Sequence, residues 1–206
     1  MKFETSPEEK TITMRGGIGD FDGHISADDF IDALNQLEGD ITIHLDSPGG
    51  SVTDGLAIHN AILSYDGAVT VHIDTLCASI ATVVACAADR VVINSNGKYM
   101  IHRAWTVAMG NAKDFRGMAD IMEMMDKDIA ETYVAKAGGE SEDWLAMMDK
   151  ETWFDAEKAL EIGLVDEIVD MKKKYKDEEP KASVISPNVQ ILARETARRI
   201  KLRTTI

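Results

Sequence analysis

The amino-acid sequence predicts a layered α/β fold with mostly parallel strands. Two observations carry that prediction. Short β-branched runs alternate with capped helical stretches over residues 11–102, and the last helical stretch of the series is apolar almost all the way round. A helix of that kind is covered on every side, as one packed into the interior against a sheet must be. The alternation implies right-handed crossovers between parallel neighbours.

The elements follow in order. "TITMRGGIG" reads as a strand closed by glycines. "SADDFIDALNQLEG" has Ser26 as a cap, acids in the first turn and Gly39 as a stop. Phe30, Ile31, Leu34 and Leu37 share one face, which makes the stretch an amphipathic helix. "DITIHL" is a short strand, "DSPGGS" a turn, and "VTDGLAIHNAILSY" a second helix closed by Asp66-Gly67. "AVTVHI" is a strand, "SIATVVACAAD" the buried helix, and "RVVIN" and "GKYMIH" are further strands. The long stretch "AKDFRGMADIMEMMDKDIAETYVAKAGG" is helical and rich in methionine. Phe115, Met118, Ile121, Met122, Met125 and Ile129 recur at three- and four-residue spacing, with Met124 and Ala130 widening the face. The acids Asp114, Asp120, Glu123, Asp126 and Asp128 supply its polar remainder. Little chain is left to cover this face, so a contact between subunits is expected. "SEDWLAMMDK" and "DAEKALEIG" are short helices opened by Ser and Asp. "KKKYKDEEPKASVISPN" reads as a linker, and "VQILARETARRIKL" as a last weak helix.

The bulk composition narrows the function. The chain has 206 residues, 45% of them apolar, enough for one sizeable core. The formal net charge is −14, divided between −20 over residues 1–170 and +6 over 171–206. An acidic body of this kind argues against a nucleic-acid surface, because phosphate binding needs clustered Lys and Arg, so no nucleic-acid partner is expected. No run is long enough to span a membrane, and "MKFETSPEEK" is no signal peptide. Cys77 and Cys86 both lie in apolar sequence, so reduced, buried thiols and a cytoplasmic location are expected.

One hydroxyl interrupts the apolar stretch "HIDTLCASIATVVACAADR". Ser79 stands at the junction of a strand and the buried helix, where it is either an N-cap or a nucleophile mounted on a sharp turn. "SPGGS", Ser47 to Ser51, lies at the end of the preceding strand. Consecutive glycines let a ligand approach backbone N–H groups closely, as an oxyanion site requires. Of the five histidines, His24 and His59 lie in polar helical surroundings and His44 and His72 alternate within strands. His102 ends a strand at the entrance to a loop, a usual place for a general base. No histidine or cysteine pair stands at metal-ligand spacing, and no phosphate loop is present, so neither metal nor cofactor is expected.

"DSPGGSVTDGLAIHNAI", "CASIA", "MIH" and "WFDAEKALEIGLVDEI" occur in that order. Together they resemble the proteolytic subunit of the caseinolytic (Clp) proteases, serine peptidases of the crotonase-like fold. The resemblance implies a layered fold of repeated β-β-α units over residues 11–170, with a projecting handle helix at about 113–137. A short charged arm (1–10) precedes it, and a basic linker and tail (171–206) follows. It implies Ser79 as nucleophile, His102 as base, and the N–H groups of Gly50 and Ile80 as oxyanion donors. Gly49, Ser51, Ala104 and Trp105 are then substrate-binding positions. Aligning "A-x-x-A-x-x-x-G-L-V-D" places Glu151 at the triad acid, with Asp149 as competitor and Asp155 as the cap of the next helix.

The resemblance further implies homo-oligomeric rings, possibly stacked through the handle, acting on protein or peptide substrates. The family's longer N-terminal region contacts an unfolding ATPase. With only about ten residues, highly charged, ahead of the first predicted strand, an ATPase partner is doubtful on this reading. The short front, acidic body and basic tail are similar to the subgroup of Clp-related proteases from phages and prophages. Those proteases mature the head by cleaving capsid or scaffold proteins. The alternatives are an ATPase-dependent proteolytic subunit, an acyl-CoA enzyme of the same fold, a serine/lysine peptidase, and a catalytically silent assembly protein.

Overall fold

The computed structural model describes residues 2–20 and 23–170. The basic tail, with its expected linker and last helix, lies outside the described residues. The strands are β1 (Lys2–Ser6), β2 (Thr11–Arg15), β3 (Ile41–Ser47), β4 (Val69–Ala78), β5 (Arg90–Asn94), β6 (Lys98–Ile101), β7 (Thr152–Asp155) and β8 (Glu167–Val169). The helices are α1 (Ala27–Leu34), α2 (Val52–Leu63), α3 (Ile80–Cys86), α4 (Ala112–Ala137), α5 (Ser141–Met148) and α6 (Ala156–Glu161). Among the described residues, no helix is long and apolar enough to cross a membrane.

The main sheet runs β1-β2-β3-β4-β5-β8 and is parallel from β2 onward. Its buried row is the one the strand alternation predicts. Ile41, Ile43 and Leu45 of β3 and Val69, Val71 and Ile73 of β4 all face the core, and their neighbours face the other way. β4 is the branch point. Thr70–Ile73 pair with β5, whereas Leu76–Ala78 pair with β6. β6 then takes β7 as an antiparallel partner, which forms a second, smaller leaf.

Three strands were not anticipated. Residues 1–10 are not simply an arm: β1 pairs antiparallel with β2, and the half-buried Phe3 packs on the core. β7 and β8 are only four and three residues long and carry too short a pattern to be read without their partners. The caps at Ser26 and Asp155 stand where the sequence puts them, and Ser51, the last residue of the expected turn, caps α2. Two other bounds move. α1 stops at Leu34, short of Gly39, and α5 is capped at Glu140 rather than opened by Ser141.

α4 has 26 residues, about 39 Å of helix. Its N-terminal half is largely exposed, while Ile129, Ala130 and Tyr133 are buried. Tyr133 fastens it to α3. Thr82 Oγ1 donates to the Ser79 carbonyl at 2.5 Å and so accepts from the Tyr133 hydroxyl at 2.6 Å. Burial pushes the Tyr133 phenol well up, so it stays a donor. The thiols behave similarly: both cysteines are free, Cys77 buried and Cys86 half-buried, and Cys86, although hydrogen-bonded to Tyr99, is pushed up to about 11 by desolvation. Tyr133→Phe deletes the helix-to-helix hydrogen bond and leaves Thr82 short of a donor. It should lower the unfolding free energy by about 1–2 kcal/mol. A urea midpoint that falls at unchanged slope is the expected result.

Candidate active site

Ser79 joins β4 to α3 with φ 58° and ψ −134°, a conformation that costs a residue with a side chain about 1–3 kcal/mol. Its side chain makes no capping hydrogen bond, which removes the N-cap alternative. Instead Ser79 Oγ lies 2.7 Å from His102 Nε2. Two backbone features produce that contact. Ala78 is in register with Met100 across the β4–β6 pair, and the Ser79 N–H donates to the Met100 carbonyl at 2.9 Å. In this register β4 ends one residue short of β6, and the first residues beyond the two strands, Ser79 and His102, come together.

The glycine turn lies directly against this junction. A Cβ on Gly49 would stand 2.6 Å from Ser79 Cβ and 3.0 Å from the Ile80 nitrogen. The turn is pinned by Ile18, which donates to Gly49 O at 2.9 Å and accepts from Ser51 N at 2.8 Å. Gly50 sits between those two bonds at φ 150°, and a Cβ there would meet Ile18 O at 2.0 Å. Among the described residues, the N–H groups of Gly50 and Ile80 have no acceptor. Two donors beside the Ser79 hydroxyl can receive negative charge forming on an oxygen.

A cleft of about 780 Å³ opens onto Ser79 and His102. Gly49, Gly50, Ser51, Ala104 and Trp105 line it. The Ser51 hydroxyl is spent on capping α2, where it donates to Asp54 Oδ2 at 2.6 Å. The opposite wall is apolar and comes from α4: Met118, Ile121, Met122, Met125 and Ile129. This divides the methionine face that the sequence assigns to a subunit contact. Met122 and Met125 are half-buried and turn into the cleft, whereas Phe115 and Met124 are exposed.

The carboxylates are arranged less simply. The β6–β7 register pairs Ile101 with Thr152, so continuing it by one residue sets Glu151 opposite His102. Residues directly opposite in an antiparallel pair have Cβ atoms about 4.5–5.5 Å apart. The Glu151 side chain, however, accepts from Trp153 Nε1 at 3.2 Å, and Glu151 holds φ 48°. Among the described residues, His102 has one side-chain hydrogen-bond partner, Ser79. Asp149 is engaged elsewhere, bound in a fork by Arg103 at 2.8 and 3.1 Å. The hydrogen bonds from Arg103 hold the Asp149 carboxyl below its ordinary range.

Asp126 was read as part of the polar face of α4, and the structure corrects this. It is buried, accepts from the Ala104 N–H at 2.7 Å and takes Arg103 Nη1 at 3.3 Å. It thereby fixes the two residues that follow His102. The signal was in the spacing: Met122, Ile129 and Ala130 flank Asp126 three and four residues away, so it shares the inward face.

A family model described as Clp protease matches residues 8–172. An ATP-dependent Clp protease proteolytic subunit 2 from Thermobifida fusca is 32% identical over 139 residues, 66% of this chain and 68% of the relative. The corresponding subunit 3 from Rhodococcus jostii is 26% identical over 164 residues, 78% of this chain and 81% of the relative. The solved structure of a ClpP1 point mutant from Listeria monocytogenes superimposes with a TM-score of 0.71 at 24% identity, covering 81% of this chain and 94% of that one. That likeness confirms the fold class expected from the four motifs.

The glycine turn supplies the test of this geometry. Gly50→Ala needs an unfavourable φ and collides with the Ile18 carbonyl, so it should destabilise by more than about 1 kcal/mol. A lowered thermal midpoint, together with loss of reactivity at Ser79 toward a serine-directed probe, is the expected pair of results.

Proposed function

The chain belongs to the Clp protease family, and from that premise we propose that it is a serine endopeptidase using Ser79 and His102. The observation that carries this reading is the 2.7 Å contact between Ser79 Oγ and His102 Nε2. His102 accepts the Ser79 proton as Oγ attacks a peptide carbonyl. The N–H groups of Gly50 and Ile80 receive the oxyanion. As the C–N bond breaks, His102 returns the proton to the leaving amine. Water, deprotonated by the same imidazole, then hydrolyses the acyl-enzyme and restores Ser79. The pairing of a serine with a histidine favours this reading over an acyl-CoA enzyme or a serine/lysine peptidase.

Glu151 is the acid in this proposal. The β6–β7 register supports it, and Asp149 is already committed to Arg103. In the working enzyme the Glu151 carboxylate leaves Trp153 and turns to His102 Nδ1, where it fixes the tautomer and stabilises the imidazolium. Substrate lies along the cleft between the Gly49–Ser51 turn and the Ala104–Trp105 segment. The apolar wall from α4 favours peptides with large apolar side chains.

Assembly into rings belongs to the same proposal. Trp105, Val107 and Met109 are 73%, 86% and 97% exposed, and Phe115 and Met124 add to the exposed apolar surface. Apolar surface of this extent calls for a cover, and a second copy of the chain is the one proposed. The relatives are named as subunits of ATP-dependent proteases. Their names favour a subunit fed by a separate ATPase over cleavage of phage capsid or scaffold proteins. Degradation of a folded substrate that requires a Clp ATPase and ATP would support the first mode. Cleavage of capsid protein by the isolated chain would support the second.

Three measurements test the proposal. A fluorophosphonate probe should label Ser79, and labelling should disappear in His102→Ala. Ser79→Ala should lose peptidase activity by several orders of magnitude at unchanged fold, and Glu151→Gln should lower kcat by about 10³–10⁴-fold, with Asp149→Asn affecting it far less. For assembly, Phe115→Glu with Met124→Glu should reduce the oligomer mass in light scattering. Wild-type mass in that variant would remove α4 from the contact.

A further inference from the structure

His44 and His72 are 28 residues apart in the chain, which is why neither looks like half of a ligand pair in the sequence. Parallel pairing of β3 with β4 sets them at the same register position, His44 beside His72. Asp74 is two residues further along β4 and so points to the same face. That face is opposite the buried row of Ile43, Leu45, Val71 and Ile73. All three side chains converge. His44 Nδ1 lies 3.1 Å and His72 Nδ1 3.3 Å from Asp74 Oδ1, and the two Nδ1 atoms are 3.4 Å apart.

We propose that His44, His72 and Asp74 form a binding site for a divalent metal ion of the zinc type. Three donors form a nearly equilateral triangle with these edges. Four ligands set about 2.0–2.1 Å from zinc at tetrahedral angles stand about 3.3–3.4 Å from one another. Octahedral ligands at that distance crowd to about 2.8–3.0 Å. The triangle therefore matches one face of a tetrahedron, and two imidazoles with one carboxylate are a donor set that zinc accepts readily. The fourth corner is open to a water molecule, since the His44 side chain is 36% exposed.

The surrounding groups hold the donors in place. Arg15 Nη2 binds the other carboxylate oxygen, Oδ2, at 2.7 Å, which leaves Oδ1 for the metal. Asn94 Nδ2 donates to the Asp74 main-chain carbonyl at 2.8 Å and steadies β4 at that residue. Outer hydrogen bonds of this kind orient ligands and tune affinity. The ion would bind β3 to β4 in the strand that leads to Ser79, on residues separate from Ser79 and His102. The competing arrangement has both imidazoles donating Nδ1–H to the shared carboxylate oxygen, with no metal.

Titrating ZnCl₂ into the chelator-treated full chain by calorimetry decides between them. The expected result is saturable binding of one ion per chain, weakened by about tenfold or more in His72→Gln and in Asp74→Asn. Zinc at about 100 times its Kd should raise the Tm of the wild type by about 5–10 °C and leave the Tm of His44→Gln/His72→Gln unmoved. Cobalt(II) in place of zinc should give the intense visible bands of a four-coordinate ion. A wild-type chain that binds no zinc, or that binds no more than the double variant, overturns the proposal and leaves the imidazoles sharing the carboxylate. Because neither calorimetry nor Tm depends on peptidase activity, failure here is distinguishable from failure of the peptidase reading.

Discussion

The site depends on one backbone hydrogen bond, from the Ser79 N–H to the Met100 carbonyl. It extends the β4–β6 pairing by one step beyond the last residue of β4 and holds the two strand ends together. Ser79 and His102 are then brought together by the sheet, and the 2.7 Å contact needs no flexible loop to form it. β4 can serve this purpose because it is ten residues long and changes partner partway along. Its first half belongs to the main sheet, and its second half carries the smaller leaf on which His102 and, across β7, Glu151 are set.

The same junction explains the glycines. Ser79 is held in a conformation that side chains avoid, and the neighbouring turn must approach within a distance no Cβ allows. Gly49 meets Ser79 Cβ and the backbone of Ala78 and Ile80, and Gly50 meets Ile18. The strain at Ser79 is balanced by hydrogen bonds below it. The Ser79 carbonyl accepts from Thr82, Thr82 accepts from Tyr133, and Tyr133 stands on α4. The long helix is thus connected to the serine from behind, while its methionines form a wall in front. A displacement of α4 would be felt on both sides of Ser79.

Arg103 and Asp126 provide a third connection. Asp126 on α4 holds the Ala104 N–H and Arg103, and Arg103 holds Asp149 in the segment just before Glu151. The backbone on both sides of the His102–Glu151 position is therefore tied to α4 and to the end of α5. Placing a buried carboxylate here is costly unless it is paired, and Asp126 is paired with a guanidinium and a main-chain donor.

The alternating α/β layers, the buried rows, the caps at Ser26 and Asp155, the long helix, and Ser79, His102 and the glycine turn as a candidate group were all legible in the sequence. These are local signals: a two- or 3.6-residue period, a capping residue, a motif at fixed spacing. Tertiary structure alone decided the rest, because it turns on which strands become neighbours. β1, β7 and β8 are too short to show a period and exist through their partners. The inward direction of Asp126, the division of the methionines between cleft and surface, and the turn of the Glu151 side chain toward Trp153 all depend on packing that no single segment encodes. The meeting of His44, His72 and Asp74 is the clearest case. Residues far apart in the chain become adjacent only when β3 and β4 pair in parallel, in one register and no other.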